Sequence, residues 1–202
     1  MKCNQNTVKS LIFFAFLLLN LSPVFSQNVV FTEIPKNYQL YPRDNQDSSL
    51  IVISGEIHSG DYSIISAQIY KDSDLVNTVS DNVNRLDSVS TFSISMKIHS
   101  ELSEYSFKIF LDTTLIAKRN NIVSGDVYII NGQSNALSID YDNKANYQSE
   151  WFRSFGNSTN NPAMCQSDTT WCPAQGKTYF DHGAVGVMGL CLGQLIVEND
   201  KV

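Results

Sequence analysis

Clusters of basic residues are missing from this sequence. Its 202 residues carry 14 Lys and Arg against 20 Asp and Glu, a formal net charge of -6 with a pI near 4.9, and the basic residues are scattered. Such a chain lacks the electrostatic footprint that draws proteins to nucleic acid or anionic membrane surfaces, so neither is expected as a partner. After residue 26 no apolar run reaches the ~18 to 20 residues that span a bilayer, which excludes a stably inserted mature form. Cysteine is scarce, at four residues. No second Cys or His stands at zinc-ligand spacing, so no metal or other cofactor is expected. Internal repeats and low-complexity tracts are also absent.

What is present begins with a leader. Lys2 and Lys9 make a positive start, "LIFFAFLLLNL" (11–21) is an apolar run, and "SPVFS" ends in small residues. This is the layout of a secretory signal peptide over residues 1–26, cut after Ser26, and it places the mature chain in the periplasm or outside the cell. A lipid anchor made on a cysteine at the cleavage site is not expected, because no Cys follows the apolar run. Cys3 leaves with the leader. In the oxidising compartment beyond, Cys165 and Cys172, which flank the polar stretch "QSDTTW", are candidates for a local disulfide. Cys191, inside an apolar run, is expected to be a small buried residue.

Residues 27–122 read as one β-sandwich. "SLIVISGEIH" (49–58), "YSIISAQIYKD" (62–72), "STFSISMKIHS" (90–100) and "YSFKIFLDTTLIAK" (105–118) put apolar residues at nearly every second position, the period of half-buried strands. The breaks between them, such as "HSGD", "KDSD" and "SDNVNRLDS", are polar turn formers. Short strands at such spacing with no helical period suggest an immunoglobulin-like antiparallel sandwich, for which about 95 residues is a suitable size.

From residue 123 the pattern changes. "DVYII" (126–130) is a nearly continuous apolar run, as in a central strand covered on both faces. "EWFRSFGN" (150–157) suggests another strand, and "GAVGVMGLCLGQLIVEND" (183–200) a helix whose glycines permit close packing. Strand, long loop and helix point to the start of an α/β domain over 123–202. About 80 residues are too few for a doubly wound sheet, whose βαβ units take roughly 30 residues each. The chain is therefore expected to be the front portion of a longer protein.

Between "DVYII" and the long loop lies "NGQSNA" (131–136). A serine at a sharp turn after a buried strand stands where ligands of open α/β sheets bind, and its hydroxyl can act as a nucleophile if a base activates it. Gly132 eases the turn, and backbone N–H groups there can face a developing oxyanion. Turn formation and helix capping also account for Gly, Asn and Ser in such a place. The full Gly-x-Ser-x-Gly elbow of α/β-hydrolases is absent, since Ala136 takes the second glycine's place. Generic turn chemistry leaves Ser134 either structural or catalytic.

The block "GDVYIINGQSNA" (125–136) resembles the first motif of sialate O-acetylesterase-type carbohydrate esterases, within the SGNH hydrolase superfamily. There a Gly-Asp-Val strand, here Gly125, Asp126 and Val127, leads into Gly-Gln-Ser-Asn, here Gly132, Gln133, Ser134 and Asn135. "GAVGVMGLCLGQLI" is similar, more weakly, to a helix of the same family. The resemblance covers residues 123–202. It implies a flavodoxin-like three-layer α/β domain, preceded in many secreted versions by an immunoglobulin-like module. It also implies an O-acetylated carbohydrate as substrate, Ser134 as nucleophile and its own N–H as one oxyanion donor. The family's further glycine and asparagine donors and its Asp-x-x-His are not in this sequence, so residues 27–202 alone are expected to be nearly inactive.

Two other functions compete. One is a non-catalytic glycan-binding protein with an inactive esterase remnant. The other is a lipase or thioesterase of the same superfamily, against which Gly-Gln-Ser in place of Gly-Asp-Ser counts. Trp151, Trp171 and Tyr179 are either sugar-stacking or loop-anchoring aromatics. Asp181 and His182 are adjacent and read as loop residues. His58 and His99 fall at exposed strand ends, and "NST" at Asn157 fits a glycosylation acceptor.

Overall fold

A computed structural model describes residues 28–86, 88–131, 149–156, 164, 167–176 and 183–201. Nine strands come first: β1 (Val29–Glu33), β2 (Leu40–Pro42), β3 (Ser48–Ile57), β4 (Ile64–Lys71), β5 (Asp74–Asn82), β6 (Asn84–Leu86), β7 (Val89–His99), β8 (Tyr105–Leu111) and β9 (Thr114–Gly125). They form two sheets, ordered β1-β3-β7-β6 and β2-β9-β8-β4-β5. All neighbours run antiparallel except β2 and β9, which are parallel.

The sandwich follows directly from the period of two. Ile51, Ile53 and Ile57 on β3, with Phe92, Ile94, Met96 and Ile98 on β7, turn inward from one sheet. Ile65, Ala67 and Ile69 on β4, with Phe107, Ile109 and Leu111 on β8, meet them from the other, and all are buried. Successive strand side chains face opposite ways, so one alternating run fills the core while the residues between them stay outside. Gly55 lets β1 lie close: a Cβ there would stand 2.4 Å from the Val30 carbonyl oxygen and 2.8 Å from the Phe92 ring. Phe31 meets that ring edge-on, with centroids 5.9 Å apart.

One turn falls in the expected break "KDSD", and another lies where no break was expected. Asp72 and Ser73 both have positive φ, 47° and 81°, and join β4 to β5 in the two-residue hairpin geometry that matches sheet twist. "YSFKIFLDTTLIAK" is not one strand but a hairpin, with Leu111 opposite Thr114 and Asp112 at φ 50°. The Asp112 carboxylate accepts from the Ser63 and Ile64 N–H groups at 3.1 and 2.9 Å, tying this turn to the start of β4. β5 carries no apolar alternation and is exposed along nearly its whole length. As the edge of its sheet it carries Asp74 and Asp81 near its ends, charges that discourage pairing with other strands, while Leu75 and Val76 are exposed between them.

At the start of β8 the Tyr105 hydroxyl accepts from the His99 N–H at 3.3 Å and donates to Glu101 at 2.6 Å. Burial, followed by the Glu101 carboxylate, raises the Tyr105 pKa. Burial also works to raise Glu101, but hydrogen bonds from Lys71 and Tyr105 outweigh it and hold that carboxyl below its ordinary value.

β9 continues past Val123 to Gly125. After it, the expectation of a central strand at 126–130 is corrected. These residues belong to no strand, and Val127, Tyr128 and Ile129 are 53%, 52% and 90% exposed. An apolar run becomes a central strand only when neighbours pair both edges and layers cover both faces. The described residues supply neither. They contain instead a short antiparallel pair, β10 (Arg153–Phe155) with β11 (Trp171–Pro173), and a helix, α1 (Gly186–Asn199). The fold shown is thus a β-sandwich followed by a hairpin and a helix, and no flavodoxin-like α/β domain is evident among the described residues.

Candidate functional site

The approach to Ser134 is held at three consecutive residues. The Ser124 hydroxyl is buried between those of Ser49, at 2.6 Å, and Ser100, at 2.7 Å. Ser49 Oγ also lies 2.8 Å from the Pro42 carbonyl oxygen. The Gly125 carbonyl accepts from the Arg43 N–H at 3.0 Å. The Asp126 carboxylate takes two bonds from the Arg43 guanidinium, Nε to Oδ1 at 2.7 Å and Nη2 to Oδ2 at 3.0 Å. Paired planar groups of this kind fix direction as well as distance. The hydrogen bonds to Asp126 raise the Arg43 pKa above its ordinary value. Tyr128 adds a bond from its hydroxyl to Asp126 Oδ2 at 3.2 Å.

Gly132, Gln133, Ser134 and Asn135 lie outside the described residues, which reach Asn131 on this side. The structure therefore describes the strand exit leading to the candidate nucleophile and not the nucleophile turn.

Beside this exit a cavity of about 220 Å³ separates the end of the sandwich from α1. Val123 to Tyr128 form one wall, Trp151, Phe152, Phe155 and Trp171 a second, and α1 a third. Glycines set the helix wall. A Cβ at Gly193 would lie 2.9 Å from the Phe152 ring, and one at Gly189 would lie 3.2 Å from Ile130 Cδ1. Trp171 leans on Phe155 with centroids 4.9 Å apart. Both described tryptophans therefore line the cavity and one is braced, while Tyr179 lies outside the described residues.

Three charged residues reach the cavity, and each is neutralised. Asp126 has Arg43, Glu101 has Lys71 at 2.6 Å, and Arg153 has Glu104 at 2.7 Å. The Arg153 side chain is fully buried. It also donates to the carbonyls of Phe152, Asn121 and Glu150 and lies 5.6 Å from the Tyr38 ring centroid. Its Nε has no hydrogen-bond partner among the described residues. Burial draws its pKa below the ordinary value, against the pull of Glu104. The cavity as described can bind a partly apolar ligand against aromatic walls. Its described lining contains no histidine to serve as general base, and His58 and His99 are exposed on the sandwich.

Cys172 is buried, with Sγ 3.8 Å from the Ser154 carbonyl oxygen, but Cys165 lies outside the described residues, as do Asn157, Asp181, His182 and residues 1–26, where a leader is expected. Cys191 corrects an expectation, because it is exposed on α1. An apolar run marks a buried position only if its helix is covered all round, and this face of α1 has no cover among the described residues. No helix among the described residues is long and apolar enough to cross a membrane. Sequence reasoning missed Arg43, Arg153 and the Ser49–Ser100–Ser124 cluster. Arg153 left one signal, a lone cation inside the apolar stretch "WFRSF".

No protein-family model matches this chain, and no curated protein matches it. Among solved structures, a crystal structure assigned as a β-galactosidase from Bacteroides fragilis aligns with 46% of this chain at 13% identity and a TM-score of 0.24. The aligned part covers 15% of that protein's length.

Proposed function

We propose that this chain carries the nucleophile segment of an exported serine esterase that removes O-acetyl groups from a carbohydrate. The observation that carries the reading is the sequence block from Gly125 to Ala136, whose order resembles the first motif of sialate O-acetylesterases.

The block joins a Gly-Asp-Val strand exit, Gly125 to Val127, to Gly132, Gln133, Ser134 and Asn135 in the order found in those enzymes. Two further features support the reading. The strand order of the two sheets matches an immunoglobulin-type sandwich, and Tyr105 hydrogen-bonds back to the His99 backbone as a tyrosine corner does. Such modules precede the SGNH domain in many secreted relatives. The cavity beside the strand exit also presents Trp151 and Trp171, residue types that stack on sugar rings.

In this reading the Ser134 hydroxyl attacks the acetyl carbonyl and gives its proton to a base, while the Ser134 N–H helps hold the oxyanion. Collapse expels the sugar hydroxyl, which takes the proton back, and leaves an acetyl-enzyme. Water, deprotonated by the same base, then releases acetate. The resemblance assigns the base to an Asp-x-x-His pair, a motif that these 202 residues do not contain. The test is to expose the complete exported protein to a serine-directed phosphonate and locate the adduct by peptide mass. Labelling at Ser134 that is lost in Ser134→Ala is the expected result. A folded protein that takes up no label overturns the esterase.

A second reading is favoured by the same aromatic walls: a non-catalytic glycan-binding protein. It predicts binding of acetylated and deacetylated glycans alike, with no acetate released.

A further inference from the structure

We infer that Arg43 is a positioning residue for the segment that carries Ser134, so that the sandwich is a structural part of the site and not a spacer. Its importance for catalysis rests on the esterase reading; the clamp itself does not.

Arg43 lies immediately after β2, and Ser134 lies eight residues beyond Asp126 in the chain. β2 is a three-residue strand paired in parallel with the end of β9, Pro42 opposite Gly125. So short a ladder is weak by itself. The Arg43 N–H extends it by one bond, to the Gly125 carbonyl, and the Arg43 guanidinium then reaches one residue further, to both carboxylate oxygens of Asp126. Both side chains are about three-quarters shielded from solvent, at 27% and 26% exposure, which limits screening of the pair. The third guanidinium nitrogen, Nη1, is held by Asp47 at 2.9 Å.

The Asp47 contact fixes Arg43 from its own side of the sandwich. Asp47 belongs to the turn before β3, where its N–H donates to the Asp44 carbonyl at 3.1 Å and its own carbonyl accepts from the Ser100 N–H at 2.9 Å. Asp44 in turn accepts from the Gln46 and Ser48 N–H groups at 2.8 and 3.1 Å. Beneath the clamp, the hydroxyls of Ser49, Ser124 and Ser100 form a hydrogen-bonded chain that joins β3, β9 and the residue just after β7. Beyond it, residues 127–131 pair with no strand. Among the described residues, Arg43 to Asp126 is therefore the last ion pair or backbone pairing between the sandwich and the chain leading toward Ser134, with the Tyr128 hydroxyl on the same carboxylate.

Hydrogen exchange at the backbone amides of residues 39–45, and phosphonate labelling at Ser134, are to be compared in the wild-type protein, Arg43→Lys, Asp126→Asn and Asp47→Asn. Lysine keeps the charge but not the two-bond geometry, and asparagine keeps the shape but not the charge. Arg43→Lys and Asp126→Asn are each expected to speed exchange at these amides about tenfold, the effect of losing one charge-assisted bond, and to slow labelling by a similar factor. Asp47→Asn, which weakens the brace on Nη1 but leaves both Asp126 bonds, is expected to change both in the same direction by a smaller factor. An unshifted thermal transition of the sandwich separates this outcome from misfolding. Wild-type exchange rates in both clamp variants overturn the inference, and so does faster exchange with unchanged labelling. A wild-type protein that never labels refutes the esterase instead, and exchange alone then decides the clamp.

Discussion

The sandwich and the region that follows it handle apolar residues in opposite ways. In the sandwich, Ile51, Ile53, Ile65, Phe107, Ile109 and Leu111 are completely buried, because each strand's inward face meets the inward face of the other sheet. After Gly125, Ile129 is 90% exposed, with Phe155, Met188 and Leu195 also open to solvent, whereas Leu190 on α1 is buried. An alternating strand needs one partner layer. A run that is apolar on every side needs several, and a helix apolar all round belongs in the interior of a larger assembly of elements. The two regions are joined by ion pairs: Arg43 with Asp126 and Arg153 with Glu104.

The comparison is broken most severely from the core. Phe107→Ala removes a fully buried ring and is expected to cost about 3 to 5 kcal/mol, measurable by denaturant unfolding. If the sandwich is the folded base on which the second region rests, α1 loses its protection from hydrogen exchange at the same denaturant concentration. Retention of α1 after the sandwich unfolds would make the second region independent.

A smaller effect is expected at the junction. Glu104→Ala leaves the fully buried Arg153 guanidinium without its carboxylate and is expected to cost about 2 to 3 kcal/mol. Limited proteolysis should then cut the second region while the sandwich stays resistant. Equal resistance to wild type would show that other contacts hold the two regions together.

The smallest effect concerns acid. Backbone bonds from Gln46, then the Lys97 side chain, bring Asp44 down to about 2 from an ordinary value of 3.8. A carboxyl with a lowered folded pKa binds its proton more readily in the unfolded chain. Its contribution is present above about pH 4 and is lost as the pH falls toward 2. Asp44→Asn is expected to flatten the acid side of the sandwich's stability curve while leaving the exposure of the second region to proteases unchanged. An acid limb that persists in Asp44→Asn assigns the effect to other carboxylates.

How much could be read from the residues differs between the regions for the same reason. "STFSISMKIHS" gave β7 and its inward face, because alternation is a local property of the chain. β5 left no such mark, since it is an edge strand whose apolar residues, Leu75, Val76 and Val79, follow no alternation. The hairpin between β8 and β9 was hidden because Asp112 turns the chain without glycine or proline. The helix at 186–199 was legible, and its glycines do admit Phe152 and Ile130. The exposure of "DVYII" was not legible, since burial depends on what else packs against it.

At the candidate site the division is sharper. Sequence order identifies Gly132, Gln133, Ser134 and Asn135 as a motif, because the motif is a matter of adjacency along the chain. Arg43 and Asp126 are 83 residues apart, and neither has a local pattern that predicts the other. Sequence alone determined the alternating strands and the order Gly-Gln-Ser-Asn, both of them properties of neighbouring residues. Only the tertiary structure decided which charges pair across the junction and which apolar side chains go uncovered, because both depend on residues brought together by the fold.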